Sequence, residues 1–342
     1  MSAKPLELDR SQILAFRRRV QSLDERLPMR AGSLRRAAWA GLQDSMPRAA
    51  LLSIHARVAG TKPDDWAKPA FVQVWGPRFQ VYVVPAQDHA LFTVARYPDD
   101  ARGRRVAEDM AARVATFLGG RTLSDREIAP GIGVGNAMRY GTVTGTMLIR
   151  WEGALAPKVR TVPRPDVEPR DARLELGRRY IHVFGPTTAP SFAKWAGIGS
   201  KQAVEAFDSL AGELVAARTP IGDAWLLAAD EAEVRAKAGP AAPARFLPSG
   251  DPYWLWWGRD RELLVPDQKR RDELWTSRVW PGALLVDGDF VGTWRRAGPK
   301  LDIDAWRRLS IGERDAVEAE AASLPVPGLK NGLRVEWSAA PG

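Results

Sequence analysis

The stretch Ala70-Phe-Val-Gln-Val-Trp-Gly-Pro-Arg-Phe-Gln-Val-Tyr-Val-Val84 indicates how the first part of the chain folds. Two runs rich in valine and aromatic residues, 70–75 and 79–84, flank a Gly-Pro-Arg turn at 76–78. Such runs on either side of a glycine-proline turn are typical of a β-hairpin. The stretch therefore predicts two antiparallel strands joined by a tight turn.

Three helical segments precede this hairpin. The first is amphipathic and covers residues 12–20, with Ser11 or Asp9 as its cap; the second covers about 33–41 and the third 49–58. Three helices followed by a hairpin form the winged helix-turn-helix pattern. The first 95 residues are therefore predicted to form one winged-helix unit.

The same cycle of helices and a hairpin returns twice, and a β-rich segment follows. The sequence predicts an α+β protein with three tandem winged helix-turn-helix units at residues 1–95, 96–168 and 169–245, and a β-rich C-terminal domain at 246–342. In the second unit, Ser124 and Glu127 form a capping box. In the third, a glycine-containing turn at 197–200 joins two helices. In the last, residues 251–257 and 281–296 are strand-like and 311–323 helical.

Composition narrows the functional classes. Lysine and arginine number 50 against 41 acidic residues, so the net charge is +9, which favours an acidic partner such as nucleic acid. An arginine-rich but otherwise ordinary surface is the alternative. The absence of cysteine excludes disulfides, thiolate zinc sites and a cysteine nucleophile, and is typical of a cytoplasmic protein. The three histidines are scattered without metal-ligand spacing, so no metal or cofactor is expected.

The triplet Gln43-Asp44-Ser45 packs three small polar groups directly before an apolar helical run. One interpretation is a plain helix start, in which Ser45 caps the helix and Asp44 favours its dipole. The other is a site that holds one water molecule, because an amide, a carboxylate and a hydroxyl together accept and donate hydrogen bonds. The triplet alone leaves both interpretations open.

Characteristic phrases lie along nearly the whole chain. They are Gly41-Leu-Gln-Asp-Ser45 with Leu51-Leu-Ser-Ile-His-Ala-Arg57, Thr144-Gly-Thr-Met-Leu-Ile-Arg-Trp151, Tyr180-Ile-His-Val-Phe-Gly-Pro186 with Phe192-Ala-Lys-Trp195, and Asp251-Pro-Tyr253 through Arg261-Glu-Leu-Leu-Val-Pro-Asp267 to Val286-Asp-Gly-Asp-Phe-Val-Gly-Thr-Trp294. Together these phrases resemble the tandem winged-helix DNA glycosylases related to AlkZ and YcaQ.

The resemblance implies an enzyme that excises N7-alkylated purines from double-stranded DNA without a cofactor. The catalytic motif of the family is Gln, a variable residue, then Gln or Asp. Gln43 matches the first position, Asp44 takes the variable position, and Ser45 departs from the pattern at the last. The chain looks similar to a branch with Gln-Asp-Ser or Gln-Asp-Thr that is linked to self-resistance against bulky DNA-alkylating antibiotics.

Basic and aromatic residues on the predicted helices and wing turns are candidates for contacts with DNA phosphates and sugars. They are Arg48, Arg57, Arg78, Arg139, Arg150, Trp151, Lys158, Arg160 and Lys194, with Trp75 as a further candidate. Solvated arginines and core tryptophans are the alternatives. A non-catalytic winged-helix DNA-binding protein or transcription factor is the rival function. A monomeric, cytoplasmic and nucleoid-associated protein with no membrane partner is expected.

Overall fold

The computed structural model of the protein describes residues 4–46, 48–153, 155–329 and 332–338. Helices and antiparallel hairpins alternate along it, and the predicted α+β class is confirmed. Within the described ranges, no helix has both the length and the apolar character that crossing a membrane requires.

The first unit begins with a short strand and a capped helix. Asp9, not Ser11, caps this helix, and Gln12 completes the capping box from the other side. The elements are β1 (Leu6–Glu7), α1 (Arg10–Val20), α2 (Ala31–Ala37), β2 (Leu42–Gln43), α3 (Ala49–Arg57), β3 (Phe71–Trp75), β4 (Val81–Pro85) and α4 (His89–Thr93).

The second unit contains the longest helix and a second hairpin. The predicted capping box is confirmed, because the Ser124 hydroxyl accepts from the Glu127 amide while the Glu127 carboxylate accepts from the Ser124 amide. The elements are α5 (Ala101–Leu118), β5 (Leu123–Ser124), α6 (Asp125–Ile132), a 3-10 segment (Gly135–Thr144), β6 (Met147–Arg150) and β7 (Lys158–Thr161).

The third unit is a helix-turn-helix followed by a hairpin. Gly197, in a left-handed conformation, ends its middle helix as the sequence predicts. The elements are α7 (Pro169–Phe184), α8 (Ala189–Ala196), α9 (Ser200–Ser209), β8 (Leu214–Thr219), β9 (Gly222–Leu227) and α10 (Glu231–Arg235).

The C-terminal segment holds a five-stranded sheet in the order β10-β11-β12-β13-β14. Its elements are β10 (Ala244–Leu247), α11 (Asp260–Leu264), α12 (Gln268–Leu274), β11 (Gly282–Val286), β12 (Asp289–Ala297), β13 (Lys300–Ala305), α13 (Ile311–Ala322) and β14 (Arg334–Trp337). The strand predicted at 251–257 is wrong. The Asp251 carboxylate accepts from the Tyr253 amide and bends the chain into turns, and Trp254 and Trp256 are buried without joining a sheet.

The first two hairpins do not stand apart as separate wings. They join in one six-stranded sheet of order β2-β4-β3-β6-β7-β5, and the junction pairs Gln73 of β3 with Ile149 of β6. A single hydrophobic cluster then includes Val74, Leu148, Phe192 and Trp254, one from each of the four predicted segments. The segments therefore share a core, and side chains from different parts of the chain can meet at one place.

Candidate active site

The triplet Gln43-Asp44-Ser45 lies at one edge of the six-stranded sheet. Gln43 of β2 pairs with Tyr82 of β4, and the Asp44 amide continues the ladder by donating to the Val81 carbonyl at 2.7 Å. Side chains alternate between the two faces of an extended chain. Accordingly, Gln43 and Ser45 remain partly exposed, whereas Asp44 is 0% exposed.

Gln43 has its side-chain amide held at the oxygen end and crowded at the nitrogen end. Its Oε1 accepts a hydrogen bond of 2.7 Å from Nη2 of Arg78, which lies in the turn between β3 and β4. The amide nitrogen packs against Gly250, where an added Cβ would lie 3.0 Å from Nε2. The orientation of this amide is therefore set by the first hairpin and by the C-terminal segment together.

Asp44 supplies the side-chain acceptor at the start of helix α3, although Arg48 occupies the N-cap position itself. Its Oδ1 accepts from the Ala50 amide at 3.0 Å, and its Oδ2 accepts from Nε2 of Gln73 at 3.0 Å. The interpretation of Ser45 as the cap is wrong, because its hydroxyl donates instead to Oε1 of Gln80. A carboxylate that accepts from a free amide in the first turn of a helix satisfies one of the donors left open at every helix start.

Burial dominates the ionisation of Asp44. It raises the pKa of the carboxyl from 3.8 to about 7, against the opposing effects of the Ala50 amide, the Arg48 charge, the Gln73 amide and the Arg150 charge. The carboxyl therefore gains and loses its charge close to neutral pH.

The raised pKa of Asp44 predicts a pH-dependent stability. Between pH 3.8 and about 7 the folded protein holds a proton that the unfolded chain has released, so the free energy of unfolding falls as the pH rises through this window. An Asp44→Asn variant still accepts from Ala50 but cannot titrate. Urea unfolding at about pH 5 and about pH 8 should show wild type losing more stability than the variant. Equal losses of stability in wild type and variant would contradict a raised pKa of Asp44.

Two of the candidate DNA-binding residues stack on the ring of Trp66, close to the Asp44 carboxylate. The guanidinium carbons of Arg48 and Arg150 lie 3.9 and 4.2 Å from its ring centroid. Arg48 also adopts a left-handed backbone conformation with φ 68° immediately before α3. Two cations held on one aromatic ring give this edge of the site a positive rim, which attracts phosphate.

Gln73 links the triplet to the second hairpin. Its Oε1 accepts from the Trp151 amide at 2.7 Å, while its Nε2 donates to Asp44 and, at 3.3 Å, to the Trp151 carbonyl. The side chain is 3% exposed. A buried amide with all its contacts made in this way fixes Asp44 relative to the end of β6.

Comparison with known proteins identifies the family of this chain. The model of the family described as DNA glycosylase AlkZ-like matches residues 34–325. The chain belongs to the AlkZ-like DNA glycosylase family. An interstrand DNA cross-link repair glycosylase of Streptomyces sahachiroi is 27% identical over 165 residues, which are 46% of this chain and 43% of that protein. The chain thus spans less than half of this relative in the match.

The fold of the AlkZ-like chain also resembles a solved structure over its full length. It superposes on the Streptomyces sahachiroi DNA glycosylase AlkZ with a TM-score of 0.78 and 19% sequence identity, covering 99% of this chain and 100% of that one. The predicted family and the winged-helix architecture are therefore confirmed.

Several candidate DNA contacts lie on exposed positions of this AlkZ-like protein. Lys158 pairs across the second hairpin with Arg150, and both are exposed, as is Arg160 two residues further on. Lys194 is exposed on α8. Arg139 is half-buried, with its guanidinium 5.3 Å from the ring centroid of Trp75. These residues and the half-buried Trp151 remain predictions for DNA contact.

Arg57 is placed differently from the prediction. It is 1% exposed and forms a bidentate ion pair with Asp251, so it cannot reach a phosphate. Trp75 is equally buried and belongs to the core of the second unit. For this residue the alternative of a core tryptophan applies, and not a contact with DNA. Arg78 directs its guanidinium inward to Gln43. The sequence around Arg57 does not indicate that this arginine is buried as half of an ion pair. Its acidic partner, Asp251, lies almost two hundred residues away along the chain.

His55 has a structural environment, not a catalytic one. Its Nε2 lies 3.0 Å from both Nη2 of Arg26 and Oγ of Ser323. Burial, together with the charges of Arg26 and Arg245, lowers the pKa of His55 to about 3. The ring is therefore neutral at physiological pH. Trp66 and Gln73 are the site residues that sequence reasoning missed, since both lie in phrases that are typical of core.

Proposed function

We propose that the protein is a monofunctional DNA glycosylase that removes N7-alkylated purines, including bulky guanine adducts, from duplex DNA. The observation that carries this proposal is the Gln43 amide, which is half-exposed, is held by Arg78 and lies next to the buried Asp44 and the positive rim. Family membership supplies the reaction class. The proposed participants are Gln43, Asp44 and Ser45.

The chemistry needs little from the protein. A purine alkylated at N7 already carries a positive charge, so it leaves without a general acid. The oxygen of water forms a bond to C1′ while the C1′–N9 bond breaks. The electron pair of that bond neutralises the purine, and the attacking water releases one proton to the surrounding solvent. The enzyme must hold the water and stabilise the oxocarbenium-like transition state with negative charge.

The residues divide this work according to their exposure. Gln43 and Ser45 can touch a water in the cleft, because both are partly exposed. Asp44 is buried and both of its oxygens already accept hydrogen bonds, so it acts through the electrostatic potential of its ionised form and does not take the proton of the water. An ionised carboxylate next to the reacting sugar stabilises the positive charge that develops in the transition state.

The proposal of bulky substrates rests on a relative of the chain. The relative from Streptomyces sahachiroi is named for the repair of interstrand cross-links. A base that is covalently tied to the opposite strand cannot rotate freely into a closed pocket, as base-flipping enzymes require. We therefore propose an open cleft that attacks the adduct with little or no flipping of the base.

The test is a single-turnover assay with protein in excess over duplexes that carry one N7-methylguanine or one bulky N7-guanine adduct. Alkali then converts each abasic site into a strand break. Cleavage at the lesion, and none in the undamaged duplex, is expected. Protein that binds both lesions and leaves both intact would favour the alternative, a non-catalytic winged-helix DNA-binding protein.

Binding itself should depend on salt and not on sequence. Removal of the exposed cation in Arg150→Ala is expected to weaken affinity for every duplex alike and to reduce the slope of log K against log salt by about one. Arg235→Ala is the matched control, since Arg235 is exposed and pairs with Glu231 within its own helix. Fluorescence anisotropy over a salt series measures the affinity and the salt slope of each variant. An unchanged slope for Arg150→Ala would remove Arg150 from the DNA-binding surface.

A further inference from the structure

Arg78 lies where four separate parts of the chain meet. Its Nη2 donates to Gln43 Oε1 at 2.7 Å and to the Tyr82 hydroxyl at 3.3 Å, and its Nη1 donates to the Trp195 carbonyl at 2.6 Å. The guanidinium carbon lies 4.6 Å from the ring centroid of Trp257. The guanidinium is therefore oriented by α8 and by the C-terminal segment while it holds Gln43.

The backbone around Arg78 is specialised for this placement. Arg78 has φ 54°, a left-handed conformation that is uncommon for residues other than glycine. Gly197 at the end of α8 packs against it so closely that a Cβ would lie 2.9 Å from the Arg78 nitrogen. Such strain persists only where the surrounding structure holds it, and it often occurs at functional sites.

The partners of Arg78 are neutral oxygen atoms. Among the described residues, no carboxylate lies within ion-pair distance of its guanidinium. Arginine has only donors, whereas a glutamine amide has an acceptor end and a donor end. The end of the Gln43 amide that faces Arg78 must therefore be the oxygen, and the NH₂ group faces away from Arg78.

We infer that Arg78 is a positioning residue that fixes the polarity of the Gln43 amide, so that Gln43 donates a hydrogen bond to the attacking water. This inference rests on the proposed function. A water that accepts from Nε2 keeps one lone pair free for C1′ and directs its protons elsewhere. Gly250 packs on the same nitrogen and limits the directions in which the NH₂ group can point.

Variants of Arg78 distinguish a positioning role from a phosphate contact. A phosphate contact would lower DNA affinity, whereas a positioning residue lowers the rate at saturating protein. Arg78→Ala is expected to slow single-turnover excision of N7-methylguanine by roughly 10²-fold, the scale of a misplaced reacting group. The double variant Arg78→Ala/Gln43→Ala should be no slower than Gln43→Ala alone, because the two side chains act as a single unit and either change disables it.

Gln43→Glu separates the donor role from the acceptor role. The new carboxylate still pairs with Arg78, so the variant should fold and melt like wild type, but it has no NH₂ group and should lose as much rate as Gln43→Ala. Arg235→Ala, which removes an exposed arginine on α10, should excise at the wild-type rate.

The experiment is a single-turnover excision assay of these variants at saturating protein, with affinity and melting temperature measured in parallel. Slow excision by Arg78→Ala and Gln43→Glu, with non-additive loss in the double variant, is the expected result. Wild-type rates for Gln43→Glu, or a loss of affinity alone in Arg78→Ala, would overturn the inference and leave the proposed function intact. Wild-type protein that leaves the lesion intact would instead overturn the proposed function and the inference with it.

Discussion

Gln43→Ala is expected to slow single-turnover excision of N7-alkylguanine by roughly 10²-fold or more, the usual scale for a group that acts on the reacting water. The side chain is partly exposed and is held by Arg78 and Gly250. Alanine lacks the amide oxygen that accepts from Arg78 and the NH₂ group that is proposed to donate to the attacking water. The water therefore loses the group that positions it. The folded state loses little, because the β2–β4 pairing is made by the backbone.

The measurement is the observed rate at saturating protein, together with anisotropy binding to the same duplex and a thermal melt. Ser45→Ala is the neighbouring comparison. Its hydroxyl contacts Gln80 and caps no helix, so we expect a smaller loss of rate and almost no loss of stability. Excision by Gln43→Ala at the wild-type rate would remove the amide from the mechanism.

Local signals in the sequence predict the elements well. The Ser124–Glu127 box, the Asp9 cap and the glycine end of α8 each satisfy free backbone groups of one helix, so the evidence lies within a few residues. The hairpin turn at 76–78 is local in the same way, although its left-handed Arg78 and Phe79 are not visible in the sequence.

Long-range pairing could not be predicted. The joining of two hairpins into one sheet depends on a backbone pair between Gln73 and Ile149, and neither residue type specifies that partner. The same holds for the triplet. β2 is only two residues long, so the alternation that exposes Gln43 and buries Asp44 leaves no periodic pattern in the sequence. The sequence of the triplet therefore does not indicate that Asp44 is buried.

Burial also changes what Asp44→Ala would mean. The variant loses the cap of α3 and leaves the amides of Ala50 and Gln73 without their acceptor, so a loss of stability accompanies any loss of rate. Gln43 variants, which leave this network in place, are consequently the cleaner probes of chemistry.

Asp251→Ala is expected to have the largest effect on stability, lowering the free energy of unfolding by about 3–5 kcal/mol. Asp251 and Arg57 have side chains that are 0% and 2% exposed, with N–O distances of 2.7 and 2.8 Å. Asp251 also accepts from the Ser53 hydroxyl and the Tyr253 amide. Removal of the carboxylate leaves a buried guanidinium without its counter-ion, which costs far more than the pair itself contributes.

Urea unfolding with two comparison variants tests this assignment. Glu231→Ala breaks the exposed pair with Arg235 and should cost at most about 0.5 kcal/mol. Arg57→Met combined with Asp251→Ala removes both charges and should regain part of the loss, because no unpaired ion remains. A double variant less stable than Asp251→Ala alone would contradict this explanation.

The same ion pair connects stability to the candidate site. Arg57 ends helix α3, whose first turn is capped by Asp44, and Asp251 directly follows the Gly250 that packs on the Gln43 amide. The pair therefore fixes the C-terminal segment against both motif residues. Asp251→Ala should consequently lose excision rate even at a temperature where the protein remains folded, whereas Glu231→Ala should not. Full activity in folded Asp251→Ala protein would show that Gly250 does not need this anchor to hold Gln43.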